Sequence, residues 1–291
     1  MDAAHKTLLL NTFNAYIAAL DRKDLEPLEN YLPYDFEFAE NRIWSLQLCE
    51  WLVVDDLQEL TNTFNHWRSL LLRWHAWNDI VGTRDDSESW ALRNEFYHSL
   101  AHDCLLRPSA IRDTFTALAT ETLHQIRMAE DKSIPDHLAS DPSPPKFKTS
   151  FMTRERKEMQ LVEIAARWPL GAPFTDALKL IDTLEYRRET YNYRNMHSHT
   201  IGPRLGIGHT RAVKRLAHQA EELLPIGNDR YEMTKIPGKV QISYGFGGTP
   251  PLDLETARRL NLQQFYAARD CYAKYLLLVE DSVKALPKVV R

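Results

Sequence analysis

Cysteine is scarce in this 291-residue chain: Cys49, Cys104 and Cys271 are far apart and odd in number. That pattern fits neither a disulfide framework nor a zinc knuckle, and it points to a reducing cytoplasm. Long apolar runs are missing as well. No stretch reaches the ~18 residues of a membrane span, and the opening MDAAHKTLLLNTF places Asp2 before a short apolar run with no cleavage site. A protein neither exported nor inserted in a membrane is expected. Glycine-rich phosphate loops are also lacking. The GIG at 206–208 follows a helical pattern rather than a strand, so no nucleotide or other cofactor is expected. The net charge of −4 gives no overall excess of basic residues, so any polyanion footprint must be local.

One window supplies such a footprint. From Arg187 to Arg215, seven basic residues stand against Glu189 alone, a local +6 that leaves −10 for the remainder. The rest of the composition is that of a globular chain, with 44% apolar and 26% charged residues and with seven Trp and twelve Tyr to fill cores and interfaces.

Apolar spacing of three and four predicts helices over 3–22, roughly 43–78, 86–105 and 109–131, the last opened by Pro108 and Ser109. The four prolines between Ser133 and Ser150 read as a linker, dividing a helical region 1–132 from a second helical domain 153–291, with 133–152 between them. Further helices are expected near 153–168, 173–198 and 209–224. The pattern then alternates, predicting a small hairpin near 228–245 turned at Pro237-Gly238. Asp253 begins a long terminal helix. The fold class is therefore all-α with one small β-hairpin.

The segment Tyr191-Asn-Tyr-Arg-Asn-Met-His-Ser-His199 joins a cation, an amide and an imidazole at a helix end inside the basic window. An Arg followed by His after four to six residues is a weak signal by itself, with about 2.6 chance matches expected here. Requiring Asn directly after Arg, and His five residues past the Arg, lowers the expectation to about 0.04. Two segments satisfy it: Arg194, Asn195, His199 and Arg93, Asn94, His98. The first is favoured. The second lies within a periodic helix just after Asp85, Asp86 and Glu88, which would repel phosphate.

These residues resemble the signature of the HEPN superfamily of helical ribonucleases. The resemblance implies a HEPN-like helical bundle, and metal-independent endoribonuclease action by 2′-hydroxyl attack that leaves 2′,3′-cyclic phosphate ends. It further implies action on transfer or messenger RNA, a toxin or antiviral defence role, a homodimer or internal pair of motifs, and an antitoxin or activating partner. His199 would transfer protons, Arg194 would stabilise the phosphate and Asn195 would support them. Some members carry Tyr two residues after the histidine; this chain has Ile201 there. The residue types suit the chemistry, because the RNA supplies its own nucleophile and needs only a proton-transfer group and a cation. In a straight α-helix a five-residue separation leaves the pair about 140° apart, so a bend after Arg194 is expected to bring them together.

Blander readings stand beside these. Arg194 and His199 also suit a helix C-terminus whose carbonyls attract cations. His197 and His199 form an H-x-H, but no further metal ligand lies nearby in sequence. Tyr191 and Tyr193 serve equally as base-stacking, core or dimer-interface aromatics. The run Lys146, Lys148, Arg154, Arg156 and Lys157 is interleaved with Glu155 and Glu158 and reads first as a solvated helix face. The competing function is a catalytically silent helical module that binds RNA or a regulatory partner.

Overall fold

The computed structural model describes residues 2–21, 30–40, 42–44, 48–141 and 152–288. It is mainly helical with one two-stranded antiparallel sheet. The helices are α1 (Ala3–Leu20), α2 (Glu37–Glu40), α3 (Cys49–Val81), α4 (Asp86–Leu92), α5 (His98–Glu130), α6 (Arg154–Ala165), α7 (Gly171–Lys179), α8 (Leu184–Glu189), α9 (Tyr193–His199) and α10 (Leu254–Val283). A π-turn, Arg93–Tyr97, joins α4 to α5. Strands β1 (Val213–Gly227) and β2 (Arg230–Phe246) precede α10. No helix among the described residues is long and apolar enough to cross a membrane.

Two compact units result: Met1–Glu189 with Leu254–Arg291, and Thr190–Asp253. This differs from the division expected at the Pro-rich stretch, because α5 from before it packs on α6 from after it, and α10 returns to pack on α3 and α5. Arg112 on α5 also grips Glu158 on α6 with two bonds of 2.7 and 2.8 Å. Of the expected linker, 142–151 lies outside the described residues. Ahead of it, Asp136 meets His124 of α5 at 3.0 Å.

The larger unit is built on three long helices, α3, α5 and α10, whose apolar stripes supply a largely aromatic core. Trp67 meets Phe265 edge-on at 5.4 Å, and Phe115 meets Tyr275 edge-on at 6.0 Å. Several buried polar groups in this core find partners, which offsets the cost of leaving them orphaned. The Tyr272 and Thr61 hydroxyls bond at 2.6 Å, and Trp67 Nε1 donates to Asn261 Oδ1 at 2.9 Å. The expected helix start at Pro108 does not occur: α5 runs through it. Proline removes the N–H that would bond the carbonyl four residues back. Asn261 Nδ2 donates to that Cys104 carbonyl at 2.7 Å instead.

The expected helix over 173–198 is three helices. Left-handed residues separate them, Asp182 (φ 55°) before α8 and Tyr191 and Asn192 (φ 51° and 53°) before α9. The expected helix over 209–224 is strand β1. Its Ala-, Glu- and Leu-rich sequence favours helix locally, but the strand pairs along its length with β2. Asn228-Asp229, both with positive φ, makes the turn. Pro237-Gly238 lies inside β2, at an irregularity where pairing passes from Gln219↔Val240 to Glu221↔Lys235.

Candidate functional site

The two Arg-Asn-x-x-x-His segments lie in different units and in different kinds of helix. Arg194, Asn195 and His199 sit on α9, in the smaller unit, and all three are exposed. The bonds here have α-helical spacing: Met196 N–H donates to the Asn192 carbonyl at 3.0 Å, and Thr200 N–H to Met196 at 2.8 Å. The expected bend after Arg194 is therefore absent, and the helix ends only beyond His199. Five α-helical steps leave Arg194 and His199 on faces about 140° apart. The side chain this segment buries is Tyr193, and the exposed His197 covers it. The His197 ring lies 4.2 Å from that of Tyr193, and a Cβ on Gly202 would fall 2.0 Å from His197 Cδ2. Gly202 thus serves as the surface against which that imidazole rests. Among the described residues no group of three His, Cys, Asp or Glu is placed to hold a metal.

Arg93, Asn94 and His98 occupy the π-turn. There the His98 N–H donates to the Arg93 carbonyl, five residues back, so one turn of chain closes between them. The extra residue per turn carries His98 over Arg93 on one face, the convergence that a five-residue spacing lacks in an α-helix. The sequence around it accounts for the wider turn. Trp74 and Trp77 are one turn apart on α3, and adjacent residues of the π-turn reach both. Tyr97 OH accepts from Trp74 Nε1 at 2.8 Å, and Phe96 stacks on Trp77 at 4.8 Å. Tyr16 of α1 stacks on Trp77 at 4.6 Å.

Two of the three acids read ahead of this turn in the sequence are engaged, while Asp86, and Glu95 within the turn, stay exposed. Asp85 is consumed as the N-cap of α4, accepting from Glu88 N–H at 2.9 Å, and Glu88 pairs with Arg84 at 3.5 Å. Glu255 of α10 is neutralised by Arg258, bonded at 2.7 and 2.9 Å, and accepts from Asn78 at 2.5 Å. Arg258 holds its carboxyl below the usual range. Arg93 is half-buried, with its Nε shielded from solvent and no acceptor in reach. An unsatisfied guanidinium donor costs about 1–3 kcal/mol and seeks an oxygen. His98 is exposed, and His102 follows one α-helical turn later. Burial, and then the charge of His98, holds His102 below the ordinary histidine range, with Asp103 opposing.

Both segments are visible in the sequence, but the π-turn and His102 are not. The signal present was aromatic: Trp74, Trp77, Phe96 and Tyr97 demand more of one face than α-helical spacing offers. The basic window is also less open than its formal charge. Arg187 is bonded to buried Asp182 at 2.7 Å, and the same carboxylate oxygen accepts from Arg154 at 2.8 Å. Arg154 also grips Asp113 with bonds of 2.6 and 2.7 Å, which makes it a cross-brace rather than a nucleic-acid ligand. Compared with known families, curated proteins and solved structures, the chain matches none.

Proposed function

We propose that this protein is a metal-independent endoribonuclease of HEPN type, with Arg93, Asn94 and His98 at the reacting centre. The observation that carries this choice of site is the π-turn hydrogen bond from His98 to Arg93, which places an exposed imidazole and a guanidinium with an unfilled donor on one face. His98 moves the proton of the attacking 2′-hydroxyl or of the leaving 5′-oxygen, and Arg93 stabilises the charge that develops on the phosphate. Asn94, also exposed, offers an amide that both donates and accepts to the ribose or the histidine. The RNA provides its own nucleophile, and the products carry 2′,3′-cyclic phosphate ends.

Arg194, Asn195 and His199 enter this reading as an RNA-holding surface, because the exposed α9 directs its cations outward along different faces. Transfer or messenger RNA as substrate, a toxin or defence role in the cytoplasm, a homodimer and an antitoxin or activating partner all belong to the same proposal. They rest on the resemblance of the two motifs. The test is incubation of wild type, His98→Ala and His199→Ala with total RNA in excess EDTA, followed by chemical analysis of fragment ends. Cyclic-phosphate products lost in His98→Ala but retained in His199→Ala support the assignment. Loss only in His199→Ala moves the reacting centre to α9. RNA that is bound and never cut identifies a silent binding module.

A further inference from the structure

Cleavage by 2′-hydroxyl attack needs two proton transfers. One proton leaves the 2′-oxygen as that oxygen bonds to phosphorus, and one arrives on the 5′-oxygen as its bond to phosphorus breaks. The attacking and leaving oxygens stand roughly in line on opposite sides of the phosphorus, so one imidazole does not serve both. His98 fills one of these two roles. Neither Arg93 nor Asn94 fills the other, because a guanidinium keeps its protons and a carboxamide does not titrate.

The first turn of α5 supplies a second imidazole at a fitting distance. His98 and His102 are four residues apart in α-helix, which puts them on one face with Cβ atoms about 5–6 Å apart. Helical side chains tilt toward the N-terminus, so His102 leans toward the turn that carries His98, and the charge of His98 acts on it. His98 thus stands between Arg93 and His102, a π-turn from the first and an α-turn from the second. The surroundings of His102 suit it to accept a proton. It is half-buried, whereas His98 is exposed. Asp103, the neighbouring carboxylate, is gripped by Arg107 with bonds of 3.0 and 3.2 Å and lies 3.9 Å from His66 of α3. Burial and the charge of His98 disfavour a charged His102 and together outweigh Asp103. A single proton shared by the pair therefore rests on His98 and leaves His102 neutral, one acid beside one base.

We propose that His102 is a further catalytic residue of this centre: it takes the proton of the attacking 2′-hydroxyl while His98 gives its proton to the leaving 5′-oxygen. The bond from the 2′-oxygen to phosphorus forms and the bond from phosphorus to the 5′-oxygen breaks. The proton of the first oxygen ends on His102, and the second oxygen departs with the proton of His98. Exchange with water restores both rings. This role for His102 rests on the ribonuclease reading with its centre at the π-turn.

Initial rates of cyclic-phosphate formation from total RNA in excess EDTA, followed from about pH 5 to about pH 8, test it. The full chain is used as wild type, His98→Ala, His102→Ala and His102→Gln, with circular dichroism to confirm the helices. Wild type is expected to give a bell-shaped profile. Both His102 variants should lose about 100-fold in rate together with the acidic limb of the bell, and His98→Ala should lose the alkaline limb. Imidazole in the buffer should restore part of the rate of His102→Ala. The glutamine variant keeps bulk and hydrogen bonding, so packing alone would leave it active. A His102→Gln variant that cleaves within about threefold of wild type, beside a His98→Ala slowed about 100-fold, overturns the role of His102 and leaves the ribonuclease reading standing. Slow His102 variants that keep both limbs of the bell also overturn it, since His102 would then act on structure. A wild type that cuts no RNA overturns the ribonuclease reading and this role with it.

Discussion

Asn261 on α10 completes the hydrogen bond that Pro108 denies to α5: its Nδ2 donates to the Cys104 carbonyl at 2.7 Å, and it also bonds Tyr186 OH at 3.1 Å. Its own oxygen accepts from Trp67 Nε1. One fully buried amide therefore joins α3, α5, α8 and α10. Asn261→Ala leaves the Cys104 carbonyl, the Tyr186 hydroxyl and the indole of Trp67 short of partners. A loss of about 3 kcal/mol is expected in urea unfolding. Pro108→Ala restores an N–H beneath the Cys104 carbonyl, so the double variant should recover about 1 kcal/mol relative to additivity. Strict additivity would show that the Pro108 gap and Asn261 are unrelated.

The π-turn makes a prediction about spacing. Deleting Glu95 removes the extra residue, so that Arg93 and His98 stand four residues apart in one continuous α-helix and stay on one face. RNA cleavage should be retained within about tenfold, while the melting temperature falls, because Phe96 and Tyr97 lose their joint hold on Trp77 and Trp74. A fall in cleavage of about 100-fold or more in a folded deletion variant would show that a shared face is not what the pair needs.

Helix existence was readable for α1, α3, α6 and α10 because each buries a stripe at three- and four-residue spacing, which is a property of the sequence itself. The hairpin was only half readable. The alternation of KVQISY shows β2, but AVKRLAHQAEELL reads as helix because its partner lies beyond any local window. Asn228-Asp229 is a weaker written signal than Pro237-Gly238, although the first makes the turn and the second marks an irregularity in β2. Continuity through Pro108 could not be read locally either, since the residue that repairs it, Asn261, is distant in sequence. Both candidate motifs were visible as residue types at fixed spacing. Which pair converges depends on whether the intervening turn is α or π, and that is decided by aromatic packing against Trp74 and Trp77.

The arginines of the smaller unit should act on RNA affinity rather than on chemistry. Arg194→Ala is expected to weaken single-stranded RNA binding and to lower the slope of log K against log salt by about 0.7, as when one fewer phosphate is neutralised. Single-turnover cleavage at saturating RNA should be unchanged. A large fall at saturation, with the salt slope intact, would place Arg194 at the reacting phosphate.

Asp56, on α3, gives the fold a pH dependence. Burial first, then the charge of Glu121, raises its carboxyl to about 7, with Asp55 adding to them and a bond from the Thr122 hydroxyl opposing. The unfolded chain releases this proton near the ordinary aspartate value of about 3.9. Between the two values the folded state binds more protons than the unfolded one, so the Asp56 contribution to stability falls as pH rises from about 4 to about 7 and is constant above that. Asp56→Asn keeps the shape and removes the charge. Its melting temperature should exceed that of wild type at pH 8, with the difference shrinking steadily towards pH 4. A difference of equal size at both pH values would mean that the substitution acts through packing, and the ionisation of Asp56 would then have no part in setting the stability of α3 against α5.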